Sequence, residues 1–197
     1  MKTVFVDVDT QLDFLFPAGA LAVPGAASMV NSLAELTRMA AAKRIPLIST
    51  MDAHSGNDPE FKVWKPHCVV GTVGQQKAAA TLLGRRFVLP TAAKTPDEIH
   101  TGAPGAEQII IEKQTIDCFT NPNLRPLLDF LHADRYVVYG VVTEVCVRCA
   151  AFGLLHSGAR VELVSDAIKS LSETGEREVL QRFQAQGGVL TTISAIT

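Results

Sequence analysis

The sequence predicts an α/β protein built on a doubly wound, mostly parallel sheet with helices on both faces. Two observations carry that prediction. Apolar, β-branched runs alternate with helical patterns from end to end, the order of repeated strand–helix units. The runs are continuously apolar rather than alternating, so the strands are expected to be buried on both sides.

Taken in order, Thr3–Val8 reads as the first strand. A helix follows over Ala26–Ala42, with Met29, Val30, Leu33, Leu36 and Met39 at helical spacing. Ile45–Thr50 is the second strand, Gln108–Glu112 the third, Tyr136–Val141 the fourth and Arg160–Val164 the fifth. Val189–Ile193 supplies a sixth. Helices are expected over Asn123–His132, Val145–Ser157 and Glu173–Gln186, the first announced by Asn121 and Pro122. Two stretches break the rhythm. Met51 to about Gly74 is long, polar and weakly periodic. Gln75–Gly105 suggests only a short helix near Lys77–Leu83 and a small hairpin around Arg86–Leu89. Long irregular segments in a compact domain are often functional.

A chain of 197 residues, 47% of them hydrophobic, is expected to form one domain over 1–197 with a sizeable core. A net charge of −2 gives no electrostatic reason to expect nucleic acid or an anionic membrane as partner. No apolar run reaches the ~20 residues of a bilayer span. The first residues read directly as a strand rather than a leader, so a cytoplasmic protein is expected, with four free thiols: Cys68, Cys118, Cys146 and Cys149. A homo-oligomer is the expected assembly.

In an open parallel sheet, ligands bind beyond the carboxyl ends of the strands. The first strand ends at Asp9, the second just before Asp52 and the third just before Lys113. The fourth runs into a turn and a helix start at Cys146. A thiol at a helix N-terminus is favoured as thiolate, and the amides there can hold an oxyanion. Read alone, Cys146 also fits a small core residue. Asp7 lies two residues before Asp9 on the same side and competes with it. Lys113 beside a carboxylate and a thiolate would lower the pKa of both. Asp52, His54 and His67, with Glu60 between them, are suitable ligands for zinc, iron or manganese. Phe14 and Trp64 are candidates for an aromatic pocket wall. A competing reading takes Cys146 and Cys149 as a C-x-x-C redox pair, which leaves the Asp52/His54/His67 group without a role.

Three segments resemble a known family, the isochorismatase-like cysteine hydrolases, and within it the nicotinamidases. Val8-Asp9-Thr10-Gln11-Leu12-Asp13-Phe14 is similar to the family's V-D-x-Q-x-D-F opening, which selects Asp9 over Asp7. Gly140-Val141-Val142-Thr143-Glu144-Val145-Cys146-Val147 is similar to its nucleophile segment. Asp52-Ala53-His54 with Trp64-Lys65-Pro66-His67-Cys68 is similar to its metal loop. The chain departs from the pattern at Leu12, Lys65 and Glu60. The resemblance implies a six-stranded sheet in 3-2-1-4-5-6 order and a cis peptide between Val141 and Val142. It implies Asp9, Lys113 and Cys146 as catalytic residues and the Val142 and Cys146 amides as oxyanion hole. It further implies a divalent metal, zinc foremost, and a small-molecule amide as substrate. The reaction expected is hydrolysis of nicotinamide to nicotinate and ammonia through a Cys146 thioester. N-carbamoyl and ureido amide hydrolases of the same superfamily are the neighbouring alternative.

Overall fold

The computed structural model describes residues 1–196, so the last residue of the expected 1–197 domain lies outside them. Among the described residues seven strands form one sheet: β1 (Thr3–Val8), β2 (Leu47–Asp52), β3 (Arg86–Leu89), β4 (Gln108–Lys113), β5 (Arg135–Val141), β6 (Arg160–Lys169) and β7 (Val189–Thr191). Their order is β3-β4-β2-β1-β5-β6-β7, and every neighbouring pair is parallel. This is the expected order with one strand added at an edge.

The added strand corrects the sequence reading. Arg86–Leu89 forms no hairpin but pairs parallel with β4, from Arg86↔Gln108 to Leu89↔Ile111. A parallel return needs a crossover, and helix α3 (Pro96–Gly102) lies in it; α1 (Leu12–Leu15) and α2 (Val30–Lys43) precede it in the chain. The sequence does announce α3: Thr95 caps it, Glu98 reaches back to the Thr95 amide, and Pro96 takes the first helical position. The expected helix near Lys77–Leu83 shrinks to a 3-10 turn over Ala79–Thr81.

Strand period places the core on both faces. Val4, Val6 and Val8 face one layer with Ile99 of α3, Leu127 and Leu131 of α4 (Leu124–Leu131), Ala151 and Leu154 of α5 (Arg148–Leu155), and Phe183 of α6 (Glu173–Ala185). Phe5, Leu47, Val137 and Tyr139 face the other with Leu33 and Leu36 of α2. β2 begins at Leu47 rather than Ile45, just after Pro46, whose missing amide cannot join a ladder. β6 runs five residues past its expected end, with a register shift against β5 between Val138 and Gly140. Among the described residues, no helix is long and apolar enough to cross a membrane.

Candidate active site

The opening motif acts as a clamp because its alternate residues reach one rim. Asp9, at φ +50°, ends β1 and lines a cleft of about 490 Å3, mouth included. The Gln11 side chain accepts from the Asp52 amide (2.7 Å) and donates to the Asp52 carbonyl (2.9 Å), which pins the end of β2. The Asp13 carboxylate accepts from the Cys68 amide (2.7 Å) and so anchors the residue after His67. Phe14 forms part of the cleft wall. Gly140 of β5 must be glycine: a Cβ there would meet the Val8 carbonyl oxygen at 2.1 Å, and its φ is +119°.

Asp9, Lys113 and Cys146 meet, although they come from the ends of three strands. Lys113 Nζ lies 2.9 Å from Asp9 Oδ2, in an ion-pair contact off the line of a hydrogen bond. The same ammonium donates to Cys146 Sγ at 3.6 Å and to the Asp52 carboxylate. Thr50 Oγ1 donates to Asp9 Oδ1 at 2.6 Å and fixes the carboxylate's rotation. All three side chains are buried, and Asp9 and Cys146 line the cleft with Val142. The Val141–Val142 peptide is cis, as the resemblance implies.

One electrostatic expectation is corrected. Cys146 does not open an α-helix: it lies in a π-helical turn over Thr143–Val147, and α5 starts at Arg148. Burial pushes the Cys146 thiol well above its usual range, Lys113 pulls down and is outweighed, and the negative charges of Asp9 and Asp52 add to the rise. Burial thus favours the thiol over the thiolate, and a thiol would need a base to act as a nucleophile. Burial alone would lower the Lys113 ammonium, but the carboxylates of Asp52 and Asp9 outweigh burial and hold it well above its usual value.

Beside this group, Asp52, His54 and His67 offer ligand atoms within 4.8 Å of one another, all buried. Asp52 Oδ2 is 3.7 Å from His54 Nε2 and 3.6 Å from His67 Nε2. His67 Nδ1 is 2.7 Å from the Lys65 carbonyl, which only accepts, so the proton sits on Nδ1 and the Nε2 lone pair is free. Asp58 Oδ2 lies 3.1 Å from His54 Nδ1, in an ion-pair contact off the line of a hydrogen bond, and among the described residues neither ring nitrogen of buried His54 has a hydrogen-bond partner. A carboxylate and two imidazoles, one held by the Lys65 carbonyl and the other with unpartnered ring nitrogens, fit a divalent cation. Burial opposes ionisation of Asp52, but the Lys113 ammonium beside it outweighs burial, and its carboxyl lies far below the usual range. Glu60 stands outside the close set, on the cleft wall; burial first and Asp52 second push its carboxyl up.

Both aromatic candidates, Phe14 and Trp64, line the cleft. Phe61 has no counterpart in the sequence reading; its ring centroid lies 5.3 Å from that of His54 and 5.8 Å from that of His67. Asp58 has none either, and its only signal is its place four residues after His54. The C-x-x-C reading gains no support: Cys146 and Cys149 are free, and Cys149 is half-buried.

Residues 3–195 match the Isochorismatase domain. The chain belongs to the isochorismatase family. Its relatives include a nicotinamidase of Saccharomyces cerevisiae, 22% identical over 89% of this chain and 91% of that protein. Among solved structures, the pyrazinamidase of Pyrococcus horikoshii in complex with zinc superposes with a TM-score of 0.79, at 25% identity, over 98% of this chain and 100% of that one. The N-carbamoylsarcosine amidase of Thermoplasma acidophilum shares the fold, with a TM-score of 0.77 at 23% identity over 100% of this chain and 99% of that one. The chain is thus an isochorismatase-family hydrolase that resembles the nicotinamidases.

Proposed function

We propose that this protein hydrolyses nicotinamide, or a closely similar neutral aromatic amide, to the acid and ammonia. The observation that carries the reading is the composition of the cleft. Its lining combines a thiol and carboxylates with a mostly apolar wall: Phe14, Leu21, Val23, Trp64, Ile116 and Val145 among others. Among the described residues no arginine or lysine lines it, and its one histidine, His67, belongs to the candidate cation-binding set. An N-carbamoyl amino acid brings a carboxylate, which would be buried against a mostly apolar wall with no arginine or lysine among the described lining residues to pair with it. A neutral ring carries no such cost and stacks on Phe14 and Trp64. The names of the yeast and Pyrococcus relatives support the same substrate class.

In the proposed mechanism Asp9 accepts the Cys146 proton as the sulfur bonds to the amide carbon. The Val142 and Cys146 amides receive the negative oxygen. Protonated Asp9 then gives its proton to the departing nitrogen, releasing ammonia and leaving a thioester. Asp9 next takes a proton from water, whose oxygen attacks the thioester carbon; the sulfur leaves, takes that proton back from Asp9, and the acid is released. Lys113 holds Asp9 and Cys146 in register throughout. Asp52, His54 and His67 would hold a divalent cation, zinc foremost, with Glu60 acting on its outer side. That cation would supply a fixed positive point that orients a ring nitrogen. The whole chain would act as one domain.

The test is ammonia release from nicotinamide, pyrazinamide and N-carbamoyl amino acids, with metal analysis of the purified protein. Neutral aromatic amides are expected to exceed N-carbamoyl acids by at least about 100-fold in kcat/KM. Cys146→Ala should abolish turnover and keep the metal. Ammonia release surviving in that variant would contradict the nucleophile assignment, and equal damage from Cys149→Ser and Cys146→Ser would favour the redox reading.

A further inference from the structure

The proposed chemistry gives Glu144 and Leu171 no part, yet the structure ties them together at the mouth of the cleft. Leu171 lines the cleft beside Val145 and Cys146, while 45% of it remains exposed. It belongs to the short loop between β6 and α6, not to the turn that carries the thiol. Glu144 does belong to that turn, two residues before Cys146. Its Oε1 accepts from the Leu171 amide at 2.9 Å and from the Ser172 amide at 3.1 Å. Both amides precede the first turn of α6, where Ser172 is the cap and accepts from the Gly175 amide at 3.0 Å. The Glu144 side chain is fitted closely, since a Cβ on Gly175 would come within 3.0 Å of its Oε1.

We infer that Leu171 sets the size of the substrate ring accepted and that Glu144 is the positioning residue that holds Leu171 over the thiol. This rests on the proposed amide hydrolysis and names a limit of its substrate class: single-ring aromatic carboxamides are admitted, and fused bicyclic ones are stopped at the outer wall. The physical reason is that a half-exposed leucine on a loop has little packing of its own to fix it. The two amide hydrogen bonds to one carboxylate oxygen replace that packing and couple the wall to the nucleophile's turn.

The test compares kcat/KM for nicotinamide and quinoline-3-carboxamide in the metal-loaded wild type and in three variants. Leu171→Ala is expected to shift the ratio toward the bicyclic amide by about tenfold, the scale of a lost apolar contact in a pocket. Glu144→Ala should shift it in the same direction, because the wall is no longer held. Glu144→Gln keeps an acceptor oxygen for both amides and should restore the wild-type ratio. A purely structural Glu144 would lower thermal stability in Glu144→Ala and leave the ratio where it was, and that result overturns the inference. So does a Leu171→Ala protein with the wild-type ratio. Wild type that turns over neither amide defeats the proposed function instead, and the inference falls with it.

Discussion

Two aspartates at the end of the first strand each meet a buried lysine, and it is the second pair that borders the cleft, through Asp9. Asp7 Oδ2 lies 3.0 Å from Lys77 Nζ; Asp9 Oδ2 lies 2.9 Å from Lys113 Nζ. All four side chains are almost wholly enclosed. Around Asp7 the neighbours are hydroxyls: Ser49 donates to it at 3.0 Å and Thr10 at 3.1 Å, while Lys77 also donates to the Thr50 carbonyl. Around Asp9 one hydroxyl, that of Thr50, is joined by a thiol and a second carboxylate on the same lysine, and by the cleft. The comparison teaches that a buried charge pair is no signature of catalysis in itself. What separates the two is whether a thiol and the cleft adjoin the acid.

The sharpest way to break that contrast is to neutralise each acid in turn. Asp9→Asn removes the proposed base and is expected to lower kcat by about 10²–10⁴-fold. It leaves Lys113 with Asp52, so the fold should lose little. Asp7→Asn deprives Lys77 of its only carboxylate among the described residues and should cost about 3–5 kcal/mol of stability. Urea midpoints and ammonia-release rates measured on both proteins separate the effects. Matching losses of turnover, with unchanged midpoints, would show that the two pairs do the same job.

The Asp9 pair also differs in being joined, through Asp52, to the imidazole cluster; no such bridge leaves Lys77 among the described residues. Asp58→Asn weakens the support of His54 Nδ1 and is expected to reduce zinc affinity by about 10–100-fold, read by titrating zinc into chelator-treated protein. Asp7→Asn, if it refolds, should bind zinc as wild type does. An unchanged zinc isotherm for Asp58→Asn would remove Asp58 from the site.

Much of this geometry is legible in the amino-acid sequence alone, and the reasons are local. Asp9, Asp52, Lys113 and Cys146 each follow an apolar run, so the strand-end rule places them on one rim without knowledge of the packing. Lys77 reads only as part of a short helix, because its partner Asp7 is remote in the chain and nothing local marks it. Asp58 is silent for the same reason: its role comes from how the loop folds back on His54. The direction of Arg86–Leu89 escapes the sequence because a four-residue run carries no record of which strand it joins. The state of the thiol escapes it too, because position at a helix start is visible in sequence, whereas the extent of burial is not.

The smallest effect is the one that isolates the electrostatics of the two acids. Burial raises the Cys146 thiol most, and the negative charge of Asp9 adds to the rise by disfavouring a thiolate beside it. Removing that charge in Asp9→Asn must therefore lower the thiol's pKa, since Lys113 then acts with less opposition. The alkylation rate of Cys146 against pH should move to lower pH in Asp9→Asn, even as hydrolysis is lost. Asp7→Asn, whose charge is spent on Lys77, Ser49 and Thr10, should leave the curve in place. Peptide mass spectrometry after brief iodoacetamide treatment reads Cys146 separately from Cys68, Cys118 and Cys149. A shift of equal size in both variants would mean that the thiol senses the summed charge of the strand end rather than the acid next to it.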